Sequence, residues 1–130
     1  MKYVFDTNAV IALMKKNPVF LSKLKQHSPT DIAVPSIVIF ELYYGAYKSQ
    51  KVSENLAKLK KIPFRILPFT LEDAQIAGKI RSELTQSGTP IGGYDTLIAA
   101  QAVSRNLILV THNVREFARI DELNWEDWLS

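Results

Sequence analysis

Three acidic residues interrupt apolar stretches of this 130-residue sequence. Asp6 follows a strand-like apolar run, Glu41 follows a run of Ile, Val and Phe, and Asp95 precedes a run of Leu, Ile and Ala. Buried carboxylates are unfavourable unless something pairs with them, because burial disfavours the charged form. If the fold brings the three together, a hard divalent cation such as Mg²⁺ or Mn²⁺ is their most effective partner. The residues therefore predict a metal-dependent phosphodiesterase.

Each of the three acids also has an explanation that involves no metal. Asp6 and Asp95 could cap the helices that begin beside them, as Asp often does. Glu41 lies inside a predicted helix, where no cap is needed, so its alternative is a structural salt bridge with a lysine. The three acids together are a more specific signal than any one of them, and the metal site is the leading interpretation.

Other common catalytic patterns are missing from the sequence. There is no cysteine, which excludes a thiol nucleophile and a Cys-based zinc site. No G-x-S-x-G elbow, Walker A loop or G-x-G-x-x-G fingerprint is present. A phosphatase with an aspartyl nucleophile would carry a second Asp two residues after the first, where this chain has Asn8. That hypothesis is therefore less favoured.

The composition indicates one globular domain spanning residues 1–130. Apolar residues make up 47% and charged residues 22% of the chain, which is typical of a folded domain and not of a disordered one. No apolar run approaches the ~20 residues of a membrane span, and the acid at position 6 comes too early for a secretory signal. We therefore expect a cytoplasmic protein that does not associate with a membrane.

The net charge of +3 conceals an uneven distribution of charged residues. Residues 1–65 contain 11 Lys and Arg against 4 Asp and Glu, whereas residues 66–130 contain 5 against 9. A lysine-rich half attracts polyanions, although such residues can also form no more than a solvated face. A basic surface around an acidic site favours a nucleic-acid substrate, because the acids alone would repel phosphate.

Strand and helix signals alternate along the chain. Strands are predicted at residues 2–5, 32–34, 65–67 and 107–110. Helices are predicted at residues 7–16, 19–26, 37–49, 52–61, 71–84, 94–105 and 115–117. Ser36 is expected to cap the third helix, and a capping box of Thr70 and Asp73 opens the fifth. A terminal segment at 125–128 is expected to close over the core.

This alternation predicts an α/β fold, with a parallel sheet of four to five short strands flanked by helices on both faces. In such sheets, ligands bind beyond the carboxyl ends of the strands. Asp6 ends the first strand, and Thr111 and Asn113 follow the last predicted one. Glu41 lies one turn into the helix after the second strand, and Asp95 lies at a helix start. We therefore expect these residues to face one crevice.

Four blocks of the sequence and its closing residues resemble the PIN-domain family, and most closely its VapC-type toxin ribonucleases. The blocks are FDTN at 5–8, ELYYG at 41–45, PIGGYDTLIAA at 90–100 and LVTHNVREF at 109–117, with LNWEDW at 123–128. Their order and spacing extend over essentially the whole chain. The resemblance implies a single PIN-like domain and an endoribonuclease that depends on Mg²⁺, with Mn²⁺ as a substitute.

The resemblance also assigns site residues. It implies that Asp6, Glu41 and Asp95 are the catalytic acids, with Asp6 and Asp95 as metal ligands and Glu41 as a ligand directly or through water. Many members carry a fourth acid where this chain has Asn113, a weak neutral ligand, and Glu116 is the expected substitute. The supporting residues are Thr7, Asn8, Thr111 and Glu116, and the two threonine hydroxyls could orient carboxylates or water.

Partners follow from the resemblance as well. It implies a homodimer and a cognate VapB-type antitoxin, which would bring the pair to its promoter DNA. We expect the antitoxin to lie in a groove lined by the first two helices, at Ile11, Met14, Phe20 and Leu24. The expected substrate is a structured RNA, with tRNA as the best candidate and initiator tRNA among those considered, and its cleavage would arrest translation. The alternative is a non-catalytic RNA-binding or assembly module on a PIN fold.

Overall fold

A five-stranded, all-parallel sheet forms the centre of the molecule in the computed structural model, which describes residues 1–130. The strands are β1 at Tyr3–Phe5, β2 at Ile32–Pro35, β3 at Arg65–Leu67, β4 at Ile108–Val110 and β5 at Trp125–Glu126. Their order across the sheet is β3-β2-β1-β4-β5. All residues of β1 and β2 are buried, which explains why these strands are continuously apolar. The predicted fold class is confirmed.

Seven helices connect and follow the strands. They are α1 at Thr7–Met14, α2 at Pro18–Leu24, α3 at Ser36–Tyr47, α4 at Val52–Leu59, α5 at Leu71–Gln86, α6 at Gly93–Ser104 and α7 at Val114–Phe117. A short 3-10 turn at Pro29–Asp31, which the sequence analysis missed, leads into β2. No helix combines the length and the apolar character that crossing a membrane would require.

The order of the strands creates a switch point between β1 and β4. From β1 the chain moves outward to β2 and β3, and it returns to the other side of β1 with β4 and β5. Because crossovers between parallel strands are right-handed, this reversal sends the connecting helices to opposite faces of the sheet. A crevice therefore opens beyond the carboxyl ends of β1 and β4, where ligands bind in sheets of this kind.

Most helix ends differ from the predicted ends by only one or two residues. The helix predicted to reach Lys16 ends at Met14, because Lys16 adopts a left-handed conformation with φ of 56°. We expected Ser36 to cap α3, but it is the first residue of that helix. The cap position is taken by Pro35, whose extended backbone ends β2, and no side chain caps this helix.

The predicted capping box at α5 is confirmed, and it does more than begin a helix. The Thr70 hydroxyl accepts a hydrogen bond from the Asp73 amide, while Oδ2 of Asp73 accepts one from the Thr70 amide at 2.8 Å. The other oxygen, Oδ1, accepts hydrogen bonds from Ser104 and from Arg105 at the end of α6. One fully buried carboxylate thus connects two helices that pack against each other.

Aromatic residues from both ends of the chain meet in the core. Trp128 is 2% exposed, and its ring lies 5.4 Å from Phe5 and 5.6 Å from Phe20. The C-terminal segment therefore closes over the core as predicted, although Trp125 on β5 remains 37% exposed. Phe20 is only 1% exposed. It is a core residue, so the prediction that it lines a surface groove is wrong.

Candidate active site

Asp6 both caps a helix and faces the crevice. It follows β1, and its Oδ1 accepts a hydrogen bond from the Ala9 amide at 2.8 Å, which satisfies a free N–H group at the start of α1. Burial raises the pKa of the Asp6 carboxyl, and the charges of Glu41 and Asp127 raise it further, while hydrogen bonds from Thr111 and Ala9 oppose the shift. The capping explanation is therefore correct, but it does not remove this acid from the site.

Glu41 lies in the middle of α3 and points toward the start of α1. Its Oε1 accepts a hydrogen bond from the Thr7 hydroxyl at 2.8 Å. None of the ion pairs in the structure involves Glu41, so the alternative of a salt bridge with a lysine is wrong. Its charge acts on both other acids, since it raises the pKa of Asp6 and that of Asp95.

Asp95 occupies the first turn of α6 and caps nothing. The cap position belongs to Gly92, and this helix has no side-chain cap. Burial raises the pKa of Asp95 from 3.8 to about 6, and the charges of Glu116, Asp6 and Glu41 add to the shift. The three predicted acids are thus close enough to repel one another, and they come together from three separate elements.

Glu116, on α7, is the fourth acid of this cluster. Its charge is the largest electrostatic contribution to the raised pKa of Asp95, ahead of Asp6 and Glu41. The side-chain amide of Asn113 donates a hydrogen bond to Oε2 of Glu116 at 3.3 Å, and the Asn113 backbone amide donates to the Thr111 hydroxyl at 2.9 Å. Asn113 therefore contacts the fourth acid through its side-chain amide nitrogen.

The supporting residues divide into two groups. Thr7 and Thr111 place their hydroxyls on Glu41 and beside Asp6, as the sequence analysis anticipated. Asn8 does not join them, because its side chain is exposed on α1 and makes no hydrogen bond within the protein. A helix turns by about 100° per residue, which explains why the neighbour of Thr7 faces away from the crevice.

The donor set fits a hard cation chemically, but it does not enclose one as it stands. No three acidic or histidine side chains are arranged to hold an ion. Four neighbouring carboxylates, whose charges contribute to the raised pKa of Asp6 and of Asp95, have no Lys or Arg paired to Asp6, Glu41 or Asp95 and form an oxygen-only set suited to Mg²⁺ or Mn²⁺. Mutual repulsion holds such side chains apart, so binding would draw them together.

A fifth acid near the site was missed in the sequence. Asp127 raises the pKa of Asp6 through its charge. Its Oδ2 lies 2.9 Å from Nδ1 of His112, just after β4. Burial works to raise the pKa of Asp127, but hydrogen bonds from Ser130, the Leu129 amide and His112 lower it overall. Its position depends on β5, because a fifth strand beside β4 places the residues after it at the same edge of the sheet, and a two-residue strand gives no periodic signal in the sequence.

A groove of about 450 Å³ leads away from the acids between α1, α3 and α4. Thr7 and Glu41 lie at one end, Ile11 and Met14 are on its wall, and the exposed lysines Lys15 and Lys58 border it. Two of the four predicted groove residues are therefore present. Leu24 on α2 does not line this groove, since it packs against the core, and the second wall comes from α3 and α4.

Comparison with known proteins gives a consistent result. The sequence model of the PIN-domain family matches residues 3–123 of the chain. The tRNA(fMet)-specific endonuclease VapC of Salmonella typhimurium is 38% identical over 98% of each chain, and ribonuclease VapC2 of Haemophilus influenzae is 41% identical over 99% of each. Among solved structures, that of DNA-bound VapBC from Salmonella typhimurium has a TM-score of 0.93 at 37% identity and covers 98% of each chain.

Proposed function

This chain belongs to the PIN-domain family, and we propose that it is a VapC-type toxin, a metal-dependent endoribonuclease of a type II toxin–antitoxin pair. The observation that carries the proposal is the cluster of mutually repelling carboxylates at the switch point of the sheet. Such a cluster is costly to keep unless a cation uses it. The names of the relatives, endonuclease and ribonuclease, support the same activity.

We propose that Asp6, Asp95 and Glu116 hold Mg²⁺, with Mn²⁺ as a substitute, and that Glu41 contributes directly or through water. When bound, such an ion supplies an activated water and offsets the charge on phosphoryl oxygens. Other residues of the chain hold the proposed ligand carboxylates in place. The Thr7 hydroxyl keeps Glu41 aimed at the crevice, the Ala9 amide fixes one oxygen of Asp6, and the Asn113 side chain orients Glu116.

The substrate we propose is a structured RNA, with tRNA as the best candidate. The Salmonella relative is named for tRNA(fMet), and its similarity over 98% of this chain supports initiator tRNA as the first substrate to test. The lysine-rich first half of the chain would attract the RNA backbone and speed the encounter. We place the protein in the cytoplasm, where this substrate is found.

We propose a VapB-type antitoxin as the protein partner, bound in the groove between α1, α3 and α4. An amphipathic segment suits this groove, because the wall is apolar at Ile11 and Met14 while Lys15 and Lys58 border it with positive charge. The DNA-bound VapBC structures from Rickettsia felis and Salmonella typhimurium support contact with promoter DNA through the antitoxin. A homodimer of this chain completes the proposed assembly.

The test of the activity uses the purified chain and an initiator tRNA transcript. Cleavage with Mg²⁺ should stop with EDTA, and Asp6→Asn or Glu41→Gln should lower the rate by at least about 100-fold with unchanged circular dichroism. Asp121→Asn, which alters an exposed acid outside the cluster, should cleave normally. Cleavage by Asp6→Asn at the unmodified rate would refute the assignment, and binding without cleavage would favour the non-catalytic RNA-binding module.

A further inference from the structure

Two exposed aromatic residues directly precede two of the proposed catalytic acids in the sequence. Phe40 precedes Glu41 and is 51% exposed, and Tyr94 precedes Asp95 and is 50% exposed. Their ring centroids lie 5.5 Å apart with an interplanar angle of 69°, so the two rings meet edge to face across α3 and α6. Edge-to-face contact fixes the orientation of both rings. Half of each side chain nevertheless remains open to solvent.

A second cavity begins at Tyr94. It has a volume of about 630 Å³ and lies between α5 and α6, where Pro90, Ile91 and Leu97 give it apolar walls. Arg81 also lines this cavity, is exposed, and takes part in none of the ion pairs in the structure. The cavity therefore combines apolar surface, one aromatic ring and one uncompensated positive charge, and that ring belongs to the residue that precedes Asp95.

These features fit a nucleotide better than a peptide. The acids themselves repel an RNA backbone, so a substrate needs contacts near the cleavage point that do not depend on the metal. A base stacked on an aromatic ring provides such a contact, and a cation beside it can meet the phosphate. The exposed stripe of α3 continues from Phe40 to Tyr44 and Tyr47, whereas the cavity with its apolar walls and its cation begins at Tyr94 on α6.

We propose that Tyr94, braced edge-on by Phe40, stacks against the base of a nucleotide that flanks the cleaved phosphodiester, with Arg81 facing that nucleotide's phosphate. This inference rests on the ribonuclease function proposed above and adds a specific binding subsite to it. A stacked base selects single-stranded loops, because only an unpaired base can be turned out onto the ring. The two aromatic residues thus contribute to the choice of cleavage site.

Binding of initiator tRNA tests the proposal, measured by fluorescence anisotropy in a chain that carries Asp6→Asn so that the RNA stays intact. Tyr94→Ala should weaken binding by about 5- to 150-fold, the range that stacking of one base provides. Tyr94→Trp should retain affinity. Tyr47→Ala is the control, because it removes an exposed ring, 62% exposed, from α3 and outside the lining of this cavity.

Transcripts that lack one base at each loop position in turn identify the stacked nucleotide. At that position, removal of the base should weaken binding to the parent chain as much as Tyr94→Ala does, and the two changes together should cost no more than either alone. Losses that simply add at every position would overturn the stacking. So would Tyr94→Ala binding as tightly as its parent, or a loss that coincides with dissociation of a dimer in sedimentation.

Cleavage separates this inference from the function on which it rests. If the unmodified chain cleaves the tRNA and Tyr94→Ala, without the Asp6 change, cleaves it with the same kcat/KM, the stacking subsite is refuted while the ribonuclease stands. If the unmodified chain neither binds nor cleaves any tested RNA, both proposals fall. A reduced kcat/KM that Tyr94→Trp restores is the result we expect.

Discussion

The carboxylates of the crevice oppose folding at neutral pH. The pKa of Asp95 rises to about 6 because of burial first and then because of Glu116, Asp6 and Glu41. A group whose pKa is higher in the folded than in the unfolded state holds its proton more tightly when folded. The free energy of unfolding therefore decreases as the pH rises from 3.8 to about 6, and the loss persists above that range.

We predict that Asp95→Asn stabilises the metal-free protein. At pH 7.5 in EDTA, the free energy of unfolding should increase by about 1 kcal/mol, after allowance for solvent screening and for the lost helix-dipole interaction in the first turn of α6. Near pH 4 the gain should disappear, because Asp95 is protonated in the folded state there. Urea unfolding at the two pH values measures both effects.

The same variant should also lose its response to metal. Mg²⁺ that binds only the folded state raises the stability of the unmodified chain, and this increase should be much smaller in Asp95→Asn. Asp121→Asn is the control and should keep both the original stability and the full response. A destabilised Asp95→Asn at pH 7.5 would contradict the claim that these acids repel one another.

At the scale of the elements, the alternation of apolar strands with helices was enough to predict the order and type of nearly every segment. The two-residue strand β5 was predicted only as a closing segment, because a pair of residues carries no periodic signal. Ser36 was misassigned because a serine before an apolar run resembles a cap, whereas the preceding Pro35 already provides the extended backbone that ends β2.

The buried Asp73 carboxylate, which connects α5 to α6, gives a prediction for stability. Asp73 is fully buried and accepts hydrogen bonds from Thr70, Ser104 and Arg105. Asp73→Asn should lower the free energy of unfolding by about 2–4 kcal/mol, because it leaves buried donors and the Arg105 charge without their partner. Asp31→Asn alters a capping box at the surface, in which Asp31 accepts a hydrogen bond from the Ser28 amide at the start of the 3-10 turn, and should cost less than about 1 kcal/mol.

Asp73 and the crevice acid Asp95 have opposite effects on how stability depends on pH. Burial alone would raise the pKa of Asp73, but hydrogen bonds from Ser104 and Thr70 and the Arg105 guanidinium lower it below 3.8. Its contribution to stability is therefore present above pH 3.8 and is lost as the pH falls through the lowered pKa. Unmodified and Asp73→Asn proteins should become more alike in urea unfolding below that pH.

At the scale of the whole molecule, the sequence identified the residues of the acid cluster more reliably than the residues of the binding groove. Asp6, Glu41 and Asp95 were identifiable because each is an acid within an apolar context, which is rare without a reason. Phe20 and Leu24 could not be separated from groove residues, since an apolar residue on an amphipathic helix faces either the core or a partner. Only the packing of α2 against Trp128 decides that Phe20 is buried.

The groove gives a prediction about the antitoxin. Met14→Ala should weaken antitoxin binding by about 10-fold or more, because Met14 lines the apolar wall between α1 and α4. Val19→Ala alters an exposed apolar residue on α2 and should leave binding unchanged. Calorimetric titration of the toxin with its antitoxin compares the variants. Loss of affinity in Val19→Ala with full affinity in Met14→Ala would instead place the antitoxin on α2.

Acids from separate elements converge on one catalytic ion in the proposed function. Crystals soaked with MnCl₂ and recorded at the manganese edge test it most directly. We expect one anomalous peak in the crevice, with oxygens of Asp6 and Asp95 at about 2.1 Å, and no such peak in Asp6→Asn crystals. A fully soaked crystal with no peak there, or with manganese bound only away from these carboxylates, would contradict it.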